Sequence, residues 1–90
     1  MIRRRIQFYG QVQGVGFRYH ASHLARELGL TGWVYNEYDG TVMMEVQGEE
    51  ALIDRMIQML NQDRYIDIVD MDVKNLPLAS DERDFRVRDI

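Results

Sequence analysis

From Arg3 to Val12 the chain alternates, with Ile6, Phe8, Gly10 and Val12 on one side and Arg5, Gln7, Tyr9 and Gln11 on the other. A two-residue period of this kind belongs to a half-buried strand. Gln13-Gly14-Val15-Gly16 breaks the alternation with two glycines and reads as a loop. From Phe17 the period lengthens. Phe17, Ala21, Leu24, Ala25 and Leu28 share one face of a helix, while Arg18, Ser22 and Arg26 point elsewhere. Gly29 supplies the left-handed residue that commonly ends a helix.

Residues Thr31 to Asn36 and Thr41 to Gln47 read as two further strands. The intervening Glu37-Tyr38-Asp39-Gly40 holds an Asp-Gly pair suited to a tight hairpin. Val42, Met44 and Val46 share one face of that hairpin. Leu52, Ile53, Met56, Ile57 and Leu60 recur at helical spacing between Glu49 and Asn61, with glutamates near the positive end of the helix dipole. A fourth strand falls between Tyr65 and Lys74. Its apolar phase slips from Ile66 and Ile68 to Met71 and Val73, which a bulge near Val69 and Asp70 would reconcile. Asn75-Leu76-Pro77 ends that strand, and after a polar loop Phe85 and Val87 mark a short last one.

The order β-α-β-β-α-β plus a terminal strand predicts an α+β sandwich of the ferredoxin-like, split-βαβ type. Two helices would lie on one face of a mostly antiparallel sheet. Residues 1–90 carry no repeat, linker or compositional break, so one domain is expected. That topology hosts many unrelated activities and decides nothing about chemistry.

Composition narrows the classes. The chain has no cysteine, which excludes a disulfide-stapled scaffold, a thiolate metal site and cysteine catalysis. It has no apolar run of signal-peptide or membrane-span length, so a soluble cytoplasmic monomer is expected. The net charge is −4, yet Arg3, Arg4, Arg5 and Arg18 sit early while Asp63, Asp67, Asp70 and Asp72 crowd a later segment. A locally positive spot on an acidic body suits a small anion better than a nucleic-acid strand, which needs an extended basic stripe.

The segment Gln13 to Arg18 is the most informative for chemistry. Between a strand and a helix, unpaired backbone N–H groups and the positive dipole end favour an anion. Gly14 and Gly16 let the backbone close around a ligand. Arg18, a cation at a helix start, is unfavourable against the dipole unless an anion lies between. The same residues also fit an ordinary glycine turn with a solvated arginine. This is not a P-loop, because no Gly-Lys-Ser/Thr follows. Asn36 ends the second strand. Its amide can donate to one oxygen and accept from another, which suits orienting a water, although a turn asparagine bonding its own backbone would look the same.

Gly10-x-Val12-Gln13-Gly14-Val15-Gly16-Phe17-Arg18 resembles the acylphosphatase signature. So does Gly32-Trp33-Val34-x-Asn36 followed by Asp39-Gly40-Thr41-Val42. The resemblance implies that main-chain N–H groups of Gln13, Gly14, Val15, Gly16 and Phe17 cradle a phosphate. It further implies that Arg18 binds the phosphoryl oxygens and Asn36 positions the attacking water. The implied substrate is a small acyl phosphate, with inorganic phosphate or a similar anion able to occupy the loop. The implied reaction is direct in-line hydrolysis to carboxylate and phosphate, without metal, cofactor or phosphoenzyme. Two features depart from the pattern: His20 stands where an aromatic is common, and Gln62-Asp63-Arg64-Tyr65 lacks a Gly or Pro.

Other readings are weaker. His20 and His23 lie three apart on a helix, but no third ligand sits at compatible spacing, so no metal site is expected. Asp67, Asp70 and Asp72 fit the solvent side of an edge strand, where charge discourages pairing with other chains. The methionines read as core filler. Alternation puts Arg3 and Arg5 on one face and Arg4 on the other, which spoils a single basic patch. Three rivals stay open: an anion-binding module without turnover, an RNA-binding sheet using Tyr9 and Tyr35, and a domain excised from a larger carbamoyl-transferring enzyme. The negative charge and the missing Arg/Lys-Gly-Phe block argue against RNA, and the start at Met1 against excision.

Overall fold

The computed structural model describes residues 1–89; Ile90, the last residue of the expected domain, lies outside them. The elements are β1 (Ile2–Gln11), α1 (Phe17–Glu27), β2 (Thr31–Asn36), β3 (Val42–Gly48), α2 (Glu50–Asn61), β4 (Asp67–Leu76) and β5 (Phe85–Arg88). The sheet runs β4-β1-β3-β2-β5, antiparallel throughout except for the parallel pair β2–β5. This is the expected ferredoxin-like α+β sandwich. The C-terminal ends of β1, β2 and β5 therefore meet the start of β3 at one end of the sheet.

Alternation along the strands and the 3.6-residue period of the helices build a common core. Ile6, Phe8, Val34, Val42, Met44 and Val46 come from the sheet and are fully buried against Phe17, Ala21, Ile53, Met56 and Leu60. A side chain of this size contributes about 1.5–3 kcal/mol when fully buried. Helix α1 ends as expected at Gly29, whose φ of 70° lets Gly29 N reach Arg26 O and Leu30 N reach Ala25 O. Ser22 departs from the expected pattern, being buried. Its hydroxyl donates to Tyr19 O at 2.9 Å, which removes the cost of taking it out of water.

The predicted bulge is present. Tyr9 pairs with Asp70 and Gly10 with Ile68, so Val69 is the extra residue. Gly10 makes the bulge possible. With φ 125° its backbone approaches β4 so closely that a Cβ would lie 2.2 Å from Asp67 O. Beyond the bulge Met71 and Val73 face the same side as Ile68, yet they remain exposed at the sheet's edge. Asp67, Asp70 and Asp72 are exposed on that edge strand, as expected.

The positive spot expected from the early arginines does not form as a unit. Arg3 and Arg5 share Glu45, Arg3 also binds Glu82, and Arg4 binds Glu50 and Asp54. These three lie toward the N-terminal end of β1, whereas Arg18 lies beyond its C-terminal end. Sequence proximity misled because a strand of ten residues spans the sheet. The polar segment between β4 and β5 folds over Arg3: Ala79 exchanges hydrogen bonds with the Gln47 side chain, and Glu82 receives Arg3 at 2.7 Å. No helix among the described residues is long and apolar enough to cross a membrane.

Candidate active site

The loop between β1 and α1 is pinned by its apolar residues. Val12 and Phe17 are buried, Phe17 packs on Phe8 with ring centroids 4.9 Å apart, and Val15 lies against the core. Gly14 and Gly16 sit between these anchors in left-handed geometry, with φ of 73° and 78°. A Cβ added at either would meet nothing within 4 Å, so dihedral freedom rather than crowding calls for glycine. The Phe17 side chain belongs to the core; only its main chain is available to the loop.

Helix α1 begins with no side-chain cap and no acidic residue in its first turn. Its first backbone hydrogen bond runs from His20 N to Gly16 O at 3.0 Å. The amides of Phe17, Arg18 and Tyr19 therefore have no carbonyl of the helix to donate to. The dipole's positive end is left uncompensated beside them.

The Gln13 side chain turns to the neighbouring hairpin rather than into the loop. Its Nε2 donates to Glu37 O and, at 2.8 Å, to Thr41 O. Thr41 is a hub. Its hydroxyl accepts from Gln7 Nε2 and donates to Asp39 Oδ1, and its carbonyl also accepts from Glu37 N. Hydrogen bonds from the Thr41 hydroxyl and amide hold the Asp39 carboxyl below its ordinary pKa. Gly40, at φ 95°, closes the hairpin that the Asp-Gly pair predicted.

Asn36, the last residue of β2, pairs with Val42 and follows Gly32 and Val34 on the helix-facing side. Its Oδ1 is buried and has no hydrogen-bond partner, alone in this respect among side-chain polar atoms of the described residues. A buried acceptor left unpaired costs about 1–3 kcal/mol, so such an atom in a folded protein calls for a reason. Sequence singled out Asn36 for its type and position; its unmet acceptor is visible only in three dimensions.

Arg18 extends to the end of β5. Its Nη1 donates to Arg88 O at 3.1 Å and to Asp89 Oδ1 at 2.5 Å. Because Arg88 pairs with Tyr35, the Arg18 guanidinium lies at the level of the last residues of β2. Gln13 likewise ties the loop to the residue after Asn36, so loop, arginine and asparagine converge on one end of the sheet. Gln13 as a tether, Thr41 as its receiver and Asp89 as a partner of Arg18 were not anticipated. The Asp-Gly-Thr turn carried a signal for Thr41; nothing in the sequence marks Asp89.

The two histidines do not act as a pair. His20 Nδ1 faces Asp63 Oδ2 at 3.3 Å, and His23 is exposed. Among the described residues no group of three His, Asp or Glu is placed to hold a metal. Tyr9, part of the RNA-binding alternative, donates to Asp72, and Tyr35 stacks on Trp33 with centroids 5.4 Å apart.

The chain is similar to known proteins along most of its length. The family described as Acylphosphatase matches residues 4–87. An acylphosphatase of Clostridium acetobutylicum is 39% identical over 88 residues, covering 97% of each chain. One of Geobacillus kaustophilus is 40% identical over 88 residues, covering 97% of this chain and 94% of the relative. The crystal structure of acylphosphatase from Bacillus subtilis superposes with a TM-score of 0.88 at 29% identity, covering 98% of this chain and 99% of that one. With its signature loop and its strand-ending asparagine at the same end of the sheet, the chain belongs to the acylphosphatase family.

Proposed function

We propose that the chain hydrolyses acyl phosphates by direct attack of water, using the Gln13–Arg18 loop as phosphate cradle and Asn36 as water holder. The observation that carries this reading is the buried Oδ1 of Asn36, unpartnered among the described residues, at the sheet end where Gln13 ties the loop before α1 to Glu37. A water donating to Oδ1 would have its oxygen lone pair free for phosphorus. As the new O–P bond forms, the P–O bond to the acyl group breaks, and its electron pair leaves on the carboxylate. The water's proton passes to the phosphoryl oxygens.

Phosphoryl transfer asks little of a protein beyond positioning and stabilisation of charge on the equatorial oxygens. The amides following Gly14 and Gly16 offer fixed donors, and a guanidinium can bind two oxygens at once. A carboxylate is a good leaving group, so no strong general acid is required. These residues supply the chemistry without a metal ion or cofactor. We further propose that residues 1–90 act as one monomeric domain in the cytoplasm. Inorganic phosphate should compete for the cradle.

The test is hydrolysis of benzoyl phosphate with and without EDTA. Equal turnover in both supports the reading. Phosphate binding without turnover would make the chain a binding module, and loss of turnover in EDTA would overturn the metal-free mechanism.

A further inference from the structure

We propose that the Gln13 side chain is a positioning residue, which sets the separation between the phosphate cradle and Asn36 by bracing one against the other. The inference rests on the hydrolytic reading above. Gln13 immediately precedes the first left-handed glycine of the loop, and Glu37 immediately follows Asn36. Both amide protons of Gln13 are used across this gap, one on Glu37 O and one on Thr41 O. A loop with two glycines is otherwise free to shift at this point.

The receiving side is itself fixed. Thr41 O also accepts from Glu37 N at 2.9 Å, Glu37 O also accepts from Gly40 N at 3.3 Å, and the Thr41 hydroxyl is held by Gln7 and Asp39. A displacement of the loop is therefore transmitted to the residue beside Asn36 rather than absorbed by the turn. The position needs glutamine. Asparagine is one methylene shorter, and glutamate would set a carboxylate against two carbonyl oxygens. Gln13 thus contributes its backbone to the cradle and its side chain to the geometry between cradle and water.

The experiment compares wild type, Gln13→Met, Asn36→Ala and the double variant, with Gln13→Glu as a second form should Gln13→Met fold poorly. Benzoyl phosphate turnover, inhibition by inorganic phosphate and the side-chain amide NMR signals of Asn36 are measured. In Gln13→Met, kcat should fall roughly tenfold, as for a small misplacement of reacting groups, while phosphate inhibition holds. In the Asn36→Ala background the same change should have no further effect, and the Asn36 amide signals should move in Gln13→Met. Additive losses, equal losses of kcat and phosphate affinity, or unmoved Asn36 signals would each overturn the proposal. Failure of both Gln13 variants to fold would also overturn it, in favour of a purely structural brace. Should wild type show no turnover, the hydrolytic reading falls, while phosphate titration and the Asn36 signals still decide the coupling.

Discussion

Arg18 and Asp89 meet through one nitrogen: Nη1 donates to Oδ1 at 2.5 Å and to the neighbouring carbonyl of Arg88 at 3.1 Å. The Nε and Nη2 donors make no hydrogen bond to the described residues, so one edge of the guanidinium is held and another stays available to an oxyanion. Asp89 is largely exposed, and an exposed pair of this kind is worth about 0–1 kcal/mol in stability. Its charge, however, would lie close to an anion held by Arg18. Asp89→Asn keeps an acceptor for Nη1 and removes repulsion toward phosphate. Inhibition by phosphate should tighten roughly threefold, the size of a unit charge acting over several ångströms in water. Competitive inhibition against benzoyl phosphate measures it, and the gain should shrink at high salt.

Arg18→Ala and Asn36→Ala should separate binding from turnover. Loss of the guanidinium should weaken phosphate inhibition and turnover together. Asn36→Ala should lower kcat by about 10²-fold with phosphate inhibition preserved, as for loss of one transition-state contact. Equal loss of phosphate affinity in both variants would contradict the division of roles.

Asn36→Ala carries a second expectation, in stability. Its Oδ1 makes no hydrogen bond to the described residues, so removing it should change stability by no more than about 0.5 kcal/mol. Urea unfolding checks this. A residue whose loss slows turnover about 10²-fold yet leaves the fold as stable is held for chemistry rather than for packing.

Glu45 should govern stability in acid. Burial pushes its carboxyl upward, but hydrogen bonds from Arg5 and Arg3, with their charges, outweigh burial and hold it below the ordinary value of 4.5. A depressed carboxyl stabilises the fold above its unfolded pKa and loses that contribution as pH falls through the folded value. Thermal stability should therefore hold from neutrality to about pH 5 and decline below it. Glu45→Gln should cost about 2 kcal/mol or more at neutral pH, because Arg3 is left partly unpaired. The variant's Tm should then fall less steeply in acid than the wild type's.

The glycines should differ in cost. Gly10→Ala drives a Cβ into Asp67 O at the bulge and should cost about 3 kcal/mol or more. Gly16→Ala has open space and strains only its φ of 78°, for about 1–2 kcal/mol. Gly16→Asn should cost less, since asparagine tolerates that region. Denaturant midpoints rank the three.

The helices and the strands β1 and β2 were legible because each turns one face to the core, which stamps its period on the chain. Even the bulge could be read, since Ile66 and Ile68 fall out of phase with Met71 and Val73. What escaped were contacts between residues remote in sequence. Alternation sets Arg3 and Arg5 on one face, but nothing local indicates that Arg3 is a buried cation held by Glu45 and Glu82. Arg18 was legible as a cation at a helix start, but its tie to Asp89 depends on β5 returning beside β2. Asn36 was legible by type and position only, because burial of one lone pair is a property of packing. The resemblance implies a role for the Gln13 backbone, and nothing local indicates where a glutamine side chain will reach.

The strand that leads into the proposed cradle has kinetic consequences. Pairing of β1 is wholly non-local: Arg3 lies opposite Gln47 on one side and Leu76 on the other. Contacts this distant form slowly, since long loops must close before they are rewarded. We expect the loop after β1 to take its shape only once those strands are in register, after the barrier to folding. An anion that binds only the finished loop would then be absent from the transition state for folding. Added phosphate should accordingly lengthen the native lifetime by slowing unfolding, and leave the refolding rate unchanged.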